Sequence, residues 1–323
     1  MDNILEIEGL KVSFASDGRK DRAAALNGVS IAVPKGAAVG LVGESGCGKS
    51  VTALSAMGLL AENGRVDSGS IRFGGQDLLK LSDRELRRMR GNRISMIFQE
   101  PMTSLNPVMT AGRQIAEAIE LHEGLSREDS KRRAIELMAR VDIPEPERRF
   151  GSYPHQLSGG LRQRVMIAMA MAMKPDLLIA DEPTTALDVS VEAQILRLMR
   201  QLQRQEGASI LMITHNLGVV AEICDRVYVM YAGEVVEAAD VFSLFRQPLH
   251  PYTRGLMAAL PQMVPKGRRL HNIPGTVPVL WDMPAGCRFA PRCERAGARC
   301  HHEKPPLRDA GGGHLCRCWL EEA

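Results

Sequence analysis

Aromatic residues are scarce. The 7 Phe, 4 Tyr and 2 Trp make up 4% of 323 residues, too few for the stacked-ring platforms that hold single-stranded nucleic acid. Charge of one sign is scarce as well. Lys and Arg exceed Asp and Glu by only 41 − 38 = 3, so no nucleic-acid partner is expected. Long hydrophobic runs are missing too. The longest charge-free apolar run near the middle of the chain, Val165 to Met173, is nine residues, against about 20 for a membrane span. The opening MDNILEIEGL lacks the basic start, apolar stretch and small-residue cleavage site of a secretory leader. The chain is therefore expected to stay in the cytoplasm, where disulfides are rare.

What is present suits a soluble two-domain protein. The sequence is 45% hydrophobic and 24% charged, enough for a sizeable core, and its length suggests about two domains. Ile4–Ile7, Lys11–Phe14, Val29–Val33, Ser70–Phe73 and Ile94–Phe98 read as strands. Ala38–Val42 is a continuous apolar run that leads into glycines and then a helix through Leu60. From about 101 to 165 the pattern turns helical and charged, with Gln114–Glu120 and Arg127–Val141 as its clearest segments. Strands at Leu177–Ala180, Ser209–Thr214 and Val227–Tyr231 then alternate with a helix at Val191–Gln205. This alternation implies an α/β fold with a largely parallel sheet. After Pro248 the chain is expected to be mostly irregular.

Gly43-Glu44-Ser45-Gly46-Cys47-Gly48-Lys49-Ser50 fits the phosphate-loop pattern in full, between a strand and a helix. Glycines let the backbone approach phosphates, while successive N–H groups and the helix start supply positive potential. Lys49 is expected on the β- and γ-phosphates and Ser50 on Mg²⁺, with Val51 following at the helix start. Leu177–Glu182 is an apolar strand ending in two acids, Asp181 for Mg²⁺ and Glu182 for the attacking water. Lys49 and the helix start are expected to lower the thiol pKa of Cys47. Met166, Met169, Met171 and Met173 read as core fillers.

Leu157-Ser158-Gly159-Gly160-Leu161-Arg162-Gln163-Arg164 resembles the signature of ATP-binding cassette proteins, with Leu161 in place of the usual Gln. The resemblance implies a P-loop nucleotide-binding fold: a RecA-like core with an antiparallel β part and a helical subdomain. It implies that Ser158, Gly159 and Gly160 bind the γ-phosphate of an ATP held mainly by another subunit. Gln99 resembles the glutamine that senses Mg²⁺ and the γ-phosphate, and Thr185-Ala186-Leu187-Asp188 the loop at the dimer interface. His215 resembles the switch histidine and Phe14 the ring that stacks on adenine. Pro101–Pro107, Tyr153–Gln156, His250–Thr253 and Ile273–Gly275 are similar to the oligopeptide/dipeptide importer ATPases. The implied function is ATP hydrolysis driving import of peptides, or alternatively of nickel, glutathione or opines. A soluble cassette of DNA repair or translation is the remote alternative. The implied division is a cassette over 1–245 and a C-terminal extension over 246–323. Implied partners are a second, related ATPase in a heterodimer, two permease subunits and a solute-binding protein, at the cytoplasmic face of the inner membrane.

Five of the seven cysteines fall in the last 37 residues. Cys287, Cys293, Cys300 and Cys318, with Cys316 as the alternative fourth, could bind a [4Fe–4S] cluster or a tetrahedral Zn²⁺, or stay unmetallated thiols. Relatives carry a [4Fe–4S] cluster at such a place, and the resemblance implies one here. This segment has few apolar residues and a net charge of +6, from 12 basic and 6 acidic residues after Phe245. A metal centre is therefore expected to supply its folding energy.

Overall fold

The computed structural model describes residues 2–15, 18, 21–100, 104–185, 187–260 and 272–322. The strands are β1 (Asn3–Phe14), β2 (Ala23–Pro34), β3 (Ala38–Val42), β4 (Gly64–Phe73), β5 (Gln76–Asp77), β6 (Ile94–Ile97), β7 (Leu177–Asp181), β8 (Ser209–Thr214), β9 (Arg226–Tyr231), β10 (Glu234–Asp240), β11 (Arg308–Asp309) and β12 (Leu315–Cys316). The helices are α1 (Lys49–Met57), α2 (Asp83–Met89), α3 (Ala111–Glu123), α4 (Arg127–Arg140), α5 (Pro146–Phe150), α6 (Gly159–Met171), α7 (Val189–Glu206), α8 (Leu217–Ile223), α9 (Val241–Arg246), α10 (Pro251–Ala258) and α11 (Ala298–His302). Two compact units emerge. One holds 1–4, 34–37 and 80–211; the other holds 5–33, 38–79 and 212–323.

The second unit contains an antiparallel sheet in the order β2-β1-β4-β5 and a mixed ladder in the order β11-β12-β10-β9-β3. β1 is one strand where the sequence suggests two. Its register on β4 shifts between Glu8 and Lys11, and Gly9 at φ 57 absorbs the bulge. β3 pairs parallel with β9, from Val39–Arg226 to Val42–Val229, and is buried at every residue. α1 stops at Gly58, whose φ of 61 suits only a residue without Cβ strain.

β10 is the strand that the sequence does not betray. Its residues Glu234 and Glu237 are 2% and 0% exposed. It lies antiparallel to β9 and carries β12 on its far edge, with Glu237 opposite Cys316. The C-terminal segment thus joins a sheet of the unit that holds β3. It forms no separate compact unit of its own.

In the first unit β6 and β7 pair parallel, from Ile94–Leu177 to Ile97–Ala180. Among the described residues 104–171 there are helices and no strand. α2 begins with a capping box between Ser82 and Glu85. α7 buries Ile195, Leu198, Met199 and Leu202 along one face. Gly112 of α3 meets Phe150 so closely that an added Cβ would lie 2.1 Å from its ring. Met166 and Met171 are buried, while Met169 and Met173 are half-buried.

Candidate nucleotide site

The phosphate loop runs from β3 to α1 with its glycines under backbone demand. Gly46 and Gly48 have φ of 79 and 103, a region that costs L-residues about 1–2 kcal/mol. A Cβ on Gly43 would lie 2.2 Å from the Met230 carbonyl oxygen. Gly233 N–H, from the β9–β10 turn, donates to the Cys47 carbonyl at 2.8 Å. The Lys49 ammonium folds back and donates to the carbonyls of Gly43 (2.7 Å) and Glu44 (3.0 Å). Ser45 and Gly46 are exposed, and Ser50 and Val51 are half-buried in the first turn of α1. A glycine-rich loop at a helix start whose cation already faces inward is an anion cradle.

Cys47 corrects an expectation. Its side chain is fully buried, and burial pushes the thiol up, outweighing the opposing pull of Lys49.

Phe14 and His215 belong to the same unit as this loop. Phe14 ends β1, half-buried, and its ring stands 2.8 Å from where a Cβ on Gly64 would be. His215 is exposed just after β8, beside Asn216, which caps α8 by accepting from Gly218 N–H.

The first unit brings Gln99 and Glu182 together. Gln99 Nε2 donates to Glu182 Oε2 at 3.1 Å, and the Thr185 hydroxyl donates to the same oxygen at 2.9 Å. Glu182 is 8% exposed and sits at φ 47. This left-handed residue stops β7 and turns its carboxylate away from the strand line, the kind of strain that functional sites keep. Asp181, the last residue of β7, is 4% exposed.

In the same unit Ser158 caps α6, accepting from Leu161 N–H at 3.4 Å. Ser158 and Gly159 are exposed at this helix start, and a Cβ on Gly160 would lie 2.8 Å from Val191. Arg164 has a structural job: it donates to Val141 O at 2.7 Å and Gln194 Oε1 at 3.1 Å. Of the expected motifs, Pro101–Thr103 and Ala186 lie outside the described residues.

The expected metal centre is overturned. Cys287, Cys293, Cys300 and Cys318 line a hollow of about 20 Å³ with Phe289, Trp319 and Leu320. Among the described residues, however, no group of three or more His, Cys, Asp or Glu is placed to hold a metal ion. Neither the iron–sulfur nor the zinc assignment stands. Burial raises the thiol of Cys287 to about 11 and raises that of Cys293. Cys316 is buried in β12.

The segment is held by packing and ion pairs instead. Tyr231, Tyr252 and Phe289 meet edge to face or tilted, with centroids 4.7 to 5.4 Å apart. Glu234 accepts from Asn27 at 2.8 Å and pairs with Arg288 and Lys304. Glu237 accepts from the N–H groups of Leu249 (2.7 Å) and His250 (2.9 Å) and bonds His314 Nε2 at 2.7 Å.

Two contacts from this segment reach the phosphate loop, and the sequence gives no sign of them. Arg292 forks onto Glu44, Nη1 to Oε2 at 2.7 Å and Nη2 to Oε1 at 3.0 Å. The Tyr252 hydroxyl oxygen accepts from Glu44 N–H at 2.9 Å.

Comparison with known proteins agrees with this geometry. Residues 26–185 match the ABC transporter family, and 236–300 match the oligopeptide/dipeptide transporter C-terminal region. The chain is 48% identical over 323 residues to the oligopeptide transport ATP-binding protein AppD of Bacillus subtilis, covering 100% of this chain and 98% of AppD. It is 48% identical over 315 residues to the dipeptide transport ATP-binding protein DppD of Escherichia coli, covering 98% and 96%. Among solved structures it is similar to the dimeric post-hydrolysis ATP-binding cassette MJ0796 bound to ADP and Pi. The TM-score is 0.66 and the identity 27%, over 73% of this chain and 98% of that one.

Proposed function

Given that this chain belongs to the ABC transporter family, as an ATP-binding subunit of the oligopeptide and dipeptide importers, we propose that it hydrolyses ATP to drive peptide uptake through partner permeases. The observation that carries this reading is the anion cradle of Gly43–Ser50, with Lys49 already turned into it. The cassette over 1–245 is the motor, and 246–323 is an accessory segment. Among the described residues no helix is long and apolar enough to cross a membrane. Membrane attachment therefore falls to two permease subunits, which carry the chain at the cytoplasmic face of the inner membrane. A second, related ATPase and a solute-binding protein complete the assembly.

The reaction is in-line attack of water on the γ-phosphorus, for which positioning and electrostatics do most of the work. The Lys49 ammonium exchanges its carbonyl contacts for β- and γ-phosphate oxygens. Phe14 stacks on adenine. Glu182 orients the water and takes its proton, with Oε2 fixed by Gln99 and Thr185. His215 donates to the γ-phosphate. Ser158 and the N–H groups of Gly159 and Gly160 do the same in trans, for the nucleotide of the facing subunit. Ser50, the Gln99 amide oxygen and Asp181 are hard oxygen donors of the kind Mg²⁺ takes. Bound there, the ion would neutralise charge developing on the phosphates.

The test is Glu182→Gln in the assembled transporter. ATP binding persists while hydrolysis and peptide uptake stop. Substantial hydrolysis by that variant removes Glu182 from the base role.

A further inference from the structure

The phosphate loop carries an acid of its own. Glu44 stands between Gly43 and Ser45, in a loop built to receive three or four negative charges. Left alone, its carboxylate would repel the ligand the loop exists to hold. The structure resolves this with a cation from far along the chain. Arg292 binds both carboxylate oxygens of Glu44, the geometry that suits a guanidinium best. The Arg292 side chain is 5% exposed, and that of Glu44 is 32% exposed. Arg292 is itself held by Pro274 O at 2.8 Å and by the Tyr231 hydroxyl at 3.4 Å. The same loop residue is gripped a second time through its backbone, since its N–H goes to Tyr252. That hydroxyl stays neutral, because burial pushes it well above the ordinary phenol range.

We propose that Arg292 is a positioning residue for nucleotide binding: by neutralising Glu44, the C-terminal segment sets the affinity of the phosphate loop for a nucleoside triphosphate. This rests on the reading of the loop as the ATP site. It assigns the segment an electrostatic task in each binding event. Tyr252 complements it by fixing where the Glu44 carboxylate leaves the loop, so that the fork always meets its partner.

The experiment titrates the full-length chain with ATP and, separately, with inorganic triphosphate, which carries the charge without adenine. Arg292→Met keeps the packed stem and removes the charge. It weakens ATP and triphosphate binding roughly tenfold, the effect of one uncompensated charge near the ligand. Glu44→Gln alone tightens binding. The double variant returns to within about twofold of wild type, since the repulsion and its antidote leave together. Arg292→Lys lies between wild type and Arg292→Met, a point charge in place of a fork. In the assembled transporter Arg292→Met raises KM for ATP about tenfold and leaves kcat at saturating ATP within about twofold. The loss shrinks as salt rises. Arg292→Met binding like wild type overturns the proposal. So does a double variant as weak as Arg292→Met, which marks a collapsed loop. Wild-type chain that binds triphosphate but not ATP overturns the ATP reading and leaves the Arg292 effect measurable. Wild-type chain that binds neither overturns both.

Discussion

Two strands of this protein bury acids, and they use them in opposite ways. β7 ends in Asp181, with Glu182 just beyond it, at 4% and 8% exposure, and β10 carries Glu234 and Glu237 at 2% and 0%. The acids of β10 lie within the strand and face cations and N–H groups from the C-terminal segment: Arg288, Lys304, His314 and the backbone of Leu249 and His250. Those of β7 stand at the carboxyl end of a parallel strand, where α/β proteins bind ligands. Glu182 is held by the neutral donors Gln99 and Thr185, on a left-handed backbone. Burial alone therefore does not mark a working carboxylate. What sets Glu182 apart from the β10 acids is its position at the strand end and its left-handed backbone.

The contrast is broken most sharply by making both acids neutral. Glu182→Gln lowers hydrolysis in the assembled transporter by a factor on the order of 10²–10⁴ and leaves the unfolding midpoint of the chain near wild type. Glu237→Leu does the reverse. It strands two backbone N–H groups and His314, and lowers the free energy of unfolding by about 3 kcal/mol. Urea unfolding and limited proteolysis of the C-terminal segment read this loss, while turnover per folded molecule is retained. A Glu237→Leu chain of normal stability would mean that the β10 acids are not the anchor described above.

The same contrast explains what the sequence could tell. The phosphate loop and the Asp181–Glu182 strand end are expected from local spacing, whereas Gln99 and the helix start at Ser158 are expected only through the resemblance to the cassette signature. β3, β6, β7, β8 and β9 are legible because apolar runs announce buried strands. β10 is not, since its two acids break the apolar pattern and their C-terminal partners lie some 12 to 77 residues on. The Arg292–Glu44 fork spans 248 positions, and no local pattern encodes it. The cysteines misled for a related reason. Cys287 and Cys300 are neighbours in space, with Cys287 N–H donating to Cys300 O at 2.8 Å. Spacing suggested a metal centre that the described residues do not form. It did not reveal that aromatic packing and ion pairs do the holding.

A smaller effect separates the supports of Glu237 from one another. His250 donates its N–H to Glu237 and accepts Tyr252 N–H on Nδ1, a bond that requires a neutral ring nitrogen. Burial lowers its pKa from 6.5 to about 3. The unfolded chain thus binds a proton below pH 6.5 that the folded chain refuses until about pH 3. Stability from this group is full above pH 6.5 and is lost progressively as pH falls toward 3. His250→Asn flattens that part of the pH profile of urea unfolding between pH 4 and 7. An unchanged slope would assign the acid sensitivity to other groups.

The smallest effect concerns a buried group inside the working loop itself. Cys47 lies two residues from Lys49 and at a helix start, both of which favour thiolate. It is nonetheless fully buried, with Lys49 Nζ 3.9 Å from its sulfur. Burial outweighs the pull of the cation on the thiol here. The consequence is chemical quiet at a place that looks reactive. At pH 8 a maleimide labels Cys47 in the folded chain at least about tenfold more slowly than in the urea-unfolded chain, as read by peptide mass spectrometry. Labelling as fast as in the unfolded chain would mean that the loop opens on the time scale of the reagent. Its cradle would then be formed by the nucleotide rather than waiting for it, and the Arg292 fork would act on an open loop instead of a rigid one.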